Sequence, residues 1–317
     1  MTTALASVAG PVGWIVFATV VVVMLALDLG VFNRRPHTPT TREAALWSLM
    51  WISISLAFNG FVFARYGGDR ALEFFQAWLI EKALSVDNLF VFLAAFSYFA
   101  VPPQLQHRVL FWGILGALLT RGAFIAVGAE LLATFHWVMY AFGAILVLTA
   151  VRLVFGGDDD PHPERNPVLG VFRKLFRVTP DYVDAHFFVK RDGLRYATPL
   201  LMVLVVIEAS DVVFAVDSIP AVFGITRDVF IVYTSNIFAV FGLRALCFLV
   251  ANIMRRLHYL KPALAGILAF VGVKMIIADY FSISDVASLG VVGGILAIAT
   301  IASLIASPAK SDIAEHQ

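Results

Sequence analysis

Apolar runs long enough to cross a bilayer recur along this chain, at about residues 12–33, 44–64, 72–99, 109–128, 135–155, 198–222, 229–253, 263–281 and 287–306. In hydrocarbon every backbone N–H and C=O must be paired within the protein, and an isolated apolar run achieves this only as a helix. The expected fold class is therefore an all-α polytopic membrane protein with about nine transmembrane helices. Composition agrees, because 60% of the 317 residues are hydrophobic and only 14% charged. The opening MTTALASVAGPVGW has no basic segment and leads into a full-length apolar run, so it is expected to begin a first transmembrane helix rather than a cleaved signal peptide.

The charges fall in short clusters between the runs and build no basic face, so a nucleic-acid role is not expected. The single cysteine, Cys247, cannot form an intrachain disulfide and reads as a packing residue. Cytoplasmic loops accumulate Lys and Arg. With the N-terminus outside, the inner loops and C-terminus hold 15 Lys/Arg and the outer loops hold three, Arg65, Arg70 and Arg227. The orientation expected is N-terminus outside, C-terminus cytoplasmic. The longest polar connection, 156–197, then lies in the cytosol as a solvated loop with a short amphipathic piece around 168–177.

The third run contains EKALSVDN, Glu81 to Asn88, and the sixth contains DVVFAVDS, Asp211 to Ser218. Both read acid, five residues, Asp, then amide or hydroxyl. Continuing the alignment sets Arg121 over Arg244 and Arg152 over Lys274. Three consecutive spans thus recur, and because each unit has an odd number of crossings the copies take opposite orientations, as in the inverted repeats of transporters. The expected division is 1–66 (two helices), 67–155 (first repeat), 156–197 (cytoplasmic loop), 198–282 (second repeat) and 283–317 (last helix and tail).

Three ionised carboxylates in the sixth run, Glu208, Asp211 and Asp217, would cost roughly 8 to 10 kcal/mol on the insertion scale unless they face a paired or wet interior. On an ideal helix Glu208 and Asp211 share a face, whereas Asp211 and Asp217, like Glu81 and Asp87, stand about 120° apart. A single shared site therefore needs irregular backbone or facing helices, and Pro220 is the expected place for a break in the sixth span. Asp28, near the end of the first run, reads equally as a helix-end residue or an entry site. The accessory candidates are Lys82, Asn88, Arg121, Ser218, Asn236, Arg244 and Lys274. The basic ones among them, Lys82, Arg121, Arg244 and Lys274, are natural salt-bridge partners for the acids.

All seven histidines lie in loops, termini or span ends, which leaves oxygen as the mid-membrane ligand. Oxygen-only sites suit Mg, Ca or Mn and fit Cu(I) or Zn poorly. No phosphate-cradling glycine loop, nucleotide motif or nucleophile–base arrangement is present, so no enzymatic activity and no permanently bound cofactor is expected, and driving energy would come from ion or proton gradients.

The stretches LALDLGVFNRR, FFQAWLIEKALSVDNLFVF, LFWGILGALLTRGAFI, VVIEASDVVFAVDSIPAVF and YTSNIFAVFGLRALCF resemble the TerC family of integral membrane proteins, more closely its Alx-like branch. The family is named from tellurium-resistance loci, and members are associated with manganese efflux and with supplying manganese to exported proteins. The resemblance implies a bacterial inner (plasma) membrane protein handling Mn(II). It implies metal binding on Glu81, Asp87, Glu208, Asp211 and Asp217, all present as acids.

The leading expectation is a secondary transporter exporting Mn(II), coupled to protons through the same carboxylates. A second is a non-transporting membrane partner of secretion machinery or metal-dependent clients, docking through 156–196. A third, tellurium oxyanion handling, fits poorly, because a carboxylate-lined path repels anions. The topology is directly testable. With Cys247 buried in a span, a cysteine introduced as Asp159→Cys should resist an impermeant thiol reagent in intact cells and react once the membrane is opened. Ready labelling of intact cells would reverse the orientation.

Overall fold

The computed structural model describes residues 7–32, 40–135, 137–155, 167–191, 193–253, 259–281 and 283–306. Its elements run α1 (Pro11–Phe32), α2 (Thr41–Tyr66), α3 (Gly68–Tyr98), α4 (Pro103–Thr134), α5 (Val138–Phe155), α6 (Pro167–Leu175), β1 (Phe188–Arg191), β2 (Leu194–Ala197), α7 (Pro199–Phe223), α8 (Val229–Val240), α9 (Leu243–Ile253), α10 (Leu260–Ile277) and α11 (Asp285–Ala306). Among the described residues each apolar run of the sequence is mostly helical. Among the described residues, Arg42–Tyr66, Pro103–Thr134, Val138–Phe155, Pro199–Phe223 and Asp285–Ser303 are long and apolar enough to cross a membrane. Pro11–Ala26, Val229–Val240 and Pro262–Ile277 are apolar but shorter. Helix α3 has the length, yet it carries Asp69, Arg70, Glu73, Glu81, Lys82 and Asp87. The side chains of Asp28, Asp87 and Arg244, and residues 156–166 of the long loop, lie outside the described residues.

Local chemistry fixes the helix ends. The T-x-x-E at Thr40 forms a capping box on α2, with Glu43 N–H donating to Thr40 Oγ1 at 3.3 Å and Thr40 N–H donating to Glu43 Oε2 at 2.8 Å. Pro199 opens α7 at a position whose N–H needs no partner. Asp228 caps α8 by accepting from Phe230 and Ile231, and it also accepts from the backbone of Val8 at 2.6 Å, which ties the N-terminal segment to this helix. Phenylalanines make the core between α1, α2, α3 and α8, with Phe58 stacked on Phe238 at 4.5 Å and Phe17, Phe74 and Phe230 around them. Helices α5 and α10 meet at glycines: a β-carbon on Gly143 would lie 2.8 Å from the Gly272 carbonyl, and one on Gly272 equally close to the Gly143 carbonyl.

The sequence pointed to a break at Pro220, and the structure corrects this. Helix α7 runs unbroken through Pro220 to Phe223. The interruption is instead in the seventh apolar run, between α8 and α9, where Gly242 has φ +85°. A β-carbon there would be both in the left-handed region and 2.9 Å from Trp51, so glycine is required. The break frees carbonyls at the end of α8, and Lys82 of α3 reaches across to accept that role of partner, donating to Ala239 O at 2.8 Å and Phe241 O at 3.0 Å.

The described part of the long loop is ordered on the helix ends. Backbone bonds tie Arg177 and Thr179 to Ala197, and Tyr182 donates to Phe99 O at the end of α3 at 2.8 Å. Burial pushes the Tyr182 phenol up to about 12, so it remains a donor at any physiological pH.

Candidate functional site

Four helices bring their polar residues to one point. Arg121, on α4 and 1% exposed, lies between Glu81 of α3 and Asp211 of α7, both fully buried. Its Nη1 donates to Glu81 Oε1. Its Nη2 donates to Asp211 Oδ1 at 3.0 Å and its Nε to Asp211 Oδ2 at 3.2 Å, a two-pronged grip that lysine could not reproduce. Asn236 of α8 accepts from Nη1 at 3.4 Å, and Asn88 of α3 donates to Asp211 Oδ1 at 3.4 Å. One guanidinium thus serves two carboxylates, the positions that the sequence alignment of the two repeats had placed over each other.

Beside this cluster is a cavity of about 100 Å³ walled by α3, α4, α5, α7 and α10. Glu81, Ser85, Asn88, Arg121, Thr149, Asp217 and Ser218 supply its polar lining; Leu84, Leu153, Phe214, Leu264 and Leu268 supply the rest. Asp217 is half-buried and accepts from Thr149 Oγ1 of α5 at 2.8 Å. Glu81 Oε2 and Ser218 Oγ, both buried, have no hydrogen-bond partner among the described residues. Buried polar atoms are nearly always paired, so two orphans on one cavity mark a place for water or an ion. The space is large enough for water.

The acids singled out in the sequence are therefore divided. Glu81 and Asp217 face the cavity, and Asp211 stands behind Arg121. Glu208, half-buried, rests its carboxyl over Gly116 of α4, where a β-carbon would displace it. Glu208 and Asp211 do share a face, as their spacing required, and that face meets α4. Asp87 lies on α3 one and a half turns beyond Glu81, and its side chain is outside the described residues. Among the described residues, no three His, Cys, Asp or Glu side chains are grouped as a complete metal cage. Of the basic candidates, Lys82 holds the α8 carbonyls, and Lys274 lies 3.5 Å from Asp285 and donates to Ser288, away from the cavity. Thr149 was not picked out in the sequence; a lone hydroxyl in the apolar LVLTAV, aligned with the repeat, was the available signal.

Comparison with known proteins gives an independent line. The family described as Integral membrane protein TerC family matches residues 66–311. An uncharacterised membrane protein of Myxococcus xanthus, STKORF319, is 46% identical over 301 residues, covering 95% of this chain and 94% of that protein. Proteins of Escherichia coli K12 and Salmonella typhi that carry the provisional name membrane-bound redox modulator Alx are 47% and 46% identical, covering 92% of this chain and 93% and 94% of their own lengths. No solved structure matches the chain.

The arrangement around Arg121 makes a specific forecast. Removing it leaves two buried carboxylates uncompensated, a loss of about 3–5 kcal/mol. Arg121→Met should therefore sharply reduce the amount of folded protein in the membrane, and adding Glu81→Gln with Asp211→Asn should restore most of it. Immunoblotting of membranes checks this; a normal level of Arg121→Met alone would contradict the paired geometry.

Proposed function

The chain belongs to the TerC family of integral membrane proteins, and we propose that it is a secondary transporter that exports a divalent metal ion, Mn(II), through the carboxylate-lined cavity between its two repeats. The single observation that carries this reading is the convergence of Asp217 with the orphaned oxygens of Glu81 and Ser218 on one small buried cavity. Counting Glu81, Asp87, Asp211, Asp217 and Arg121 as ionised leaves three negative charges, which one divalent ion and one proton would balance. The neutral donors are Thr149, Ser218 and Asn88, so the set is oxygen throughout apart from amide nitrogens and favours a hard cation. Asp87 completes the proposed set from α3, and Asp211 and Glu208 act from behind it, by position and as proton carriers.

The packing supports an inverted repeat. Taking α3, α4 and α5 as one unit and α7, α8 with α9, and α10 as the other, α3 packs on α8 as α4 packs on α7, and the equivalent helices α3 and α7, and α5 and α10, pack on each other. That exchange of partners is what a twofold axis lying in the membrane plane produces. An interrupted helix beside the site, here at Gly242, is a further feature such transporters use. Inward proton movement is the proposed driving force, since carboxylates that release a metal in a buried setting take up protons. The membrane orientation proposed has the N-terminus outside and the 156–197 loop in the cytosol.

The relatives' name raises a redox role. With one cysteine, buried between α9 and the core, this chain has no thiol pair to exchange; a redox effect would follow from moving a redox-active metal. In cells loaded with manganese, expression of the chain should lower total manganese and raise tolerance, with little change for copper or tellurite. Asp217→Asn and Asp87→Asn should each cut efflux about tenfold or more, as loss of a ligand does, at unchanged protein level. Near-normal efflux in Asp217→Asn, or protection against tellurite alone, would overturn the reading.

A further inference from the structure

The surface formed by α6 and the β1–β2 hairpin has a composition that neither solvent nor the transport cavity explains. Helix α6, with the sequence PVLGVFRKL, has one strongly apolar face, and among its described side chains only Phe172 is buried in the protein. Val171, Leu175 and Phe176 stand exposed, Leu175 at 72%. The hairpin continues the surface: Phe176 meets Phe188 at 6.3 Å, and Phe188 and Leu194 are again exposed. Interleaved with these apolar groups are the exposed bases Lys174, Arg177, Lys190, Arg191 and Arg195.

Two details say what kind of group belongs there. Lys190 and Arg195 are directly opposite each other across the antiparallel ladder. Like charges in that relation repel and weaken the pairing of the two strands, a cost that an anion lying between or beside them would relieve. Second, Lys174 and Arg177 line an open depression of about 910 Å³ whose floor is the end of α3, Tyr98 and Phe99, and the start of α7, Pro199 and Met202. Pro199 opens α7, a helix long and apolar enough to cross a membrane, so the depression lies at the end of that helix, where lipid headgroups would meet it. Asp181 and Asp184 are on the same loop, and in sequence the stretch 173–197 carries six Lys/Arg against three Asp.

We propose that α6 and the hairpin form a binding surface for anionic phospholipid headgroups, Lys174, Arg177, Lys190 and Arg195 pairing with lipid phosphates while Val171, Leu175, Phe176, Phe188 and Leu194 enter the acyl boundary. The apolar residues distinguish a lipid from a free phosphate ion, which would have no use for them, and the basic residues distinguish an anionic lipid from a zwitterionic one. The surface docks the loop flat against the membrane and holds the α3 and α7 ends in register through Tyr182 and the Arg177–Ala197 backbone bond. It does not depend on which ion the cavity handles.

The test uses the full-length protein in mild detergent, incubated with phosphatidylglycerol or with phosphatidylcholine of the same chains, with retained lipid counted by native mass spectrometry. The wild type should retain phosphatidylglycerol preferentially. Each basic residue at an anionic surface contributes about fivefold, so Lys190→Gln with Arg195→Gln, or Lys174→Gln with Arg177→Gln, should each weaken retention roughly 30-fold. These side chains are exposed, and the phosphatidylglycerol to phosphatidylcholine comparison on the wild type stands whether or not a variant folds. Equal retention of the two lipids, or undiminished phosphatidylglycerol on both variants, would overturn the proposal. So would displacement of the lipid by millimolar inorganic phosphate, which would mean a free-anion site, or by a poly-glutamate peptide, which would mean a protein dock.

Discussion

The buried pairing of Arg121 with Glu81 and Asp211 is the interaction on which the rest of the interior depends. Each of these groups alone would be untenable at mid-membrane depth, at about 3 kcal/mol or more on the insertion scale. Together they are held by α3, α4 and α7, and the pairing fixes how those three helices sit against one another. A buried ion pair of this kind is a poor device for stability, since an apolar trio of similar volume would do as well or better. Its presence points to a requirement for fixed charge. The grip on Asp211 uses Nε and Nη2, leaving Glu81 with one oxygen on the guanidinium and the other without a hydrogen-bond partner among the described residues. Arg121 thereby holds Glu81 at the wall of the cavity.

The interruption between α8 and α9 serves the same centre from the other side. Asn236, which touches Arg121, lies on the last turns of α8, and the carbonyls freed where that helix ends are held by Lys82, the neighbour of Glu81. Consecutive residues on α3 thus face different tasks: Glu81 binds the guanidinium and Lys82 secures the backbone of the helix that carries Asn236. Any motion of α8 against α9 about Gly242 would be felt at both. This coupling links the backbone break to the charge cluster through two adjacent side chains, with no intervening pathway required.

Much of this was legible in the sequence because the physics involved is local. Apolar run length dictated the helices, and the cost of intramembrane charge singled out Glu81, Asp211, Asp217 and Arg121 before any coordinates. The recurrence of acid, five residues, Asp placed Glu81 over Asp211, the two residues that share Arg121. What the sequence did not reveal were choices made between helices. Pro220 looked like the break, but proline only removes one hydrogen bond, and α7 absorbs it near its end, where the ladder is finishing anyway. Gly242 looked like one glycine among many, and only the approach of Trp51 and the positive φ distinguish it. The contact of Glu208 with Gly116 joins two helices through residues 92 positions apart in the chain. The amphipathic pattern of α6 could be read from the sequence; the opposition of Lys190 and Arg195 required the register of the hairpin.

The central claim is that a divalent ion crosses the membrane through the cavity that Arg121 organises. Its most direct test is flux into sealed vesicles containing only the purified protein, with a manganese-quenched dye inside and a proton gradient imposed across the membrane. The account predicts gradient-dependent entry of Mn(II), slowed in competition by other hard divalent ions far more than by Cu(I), and absent from vesicles without protein. Vesicles that contain correctly folded, oriented protein yet admit no Mn(II) under either direction of the gradient would contradict it.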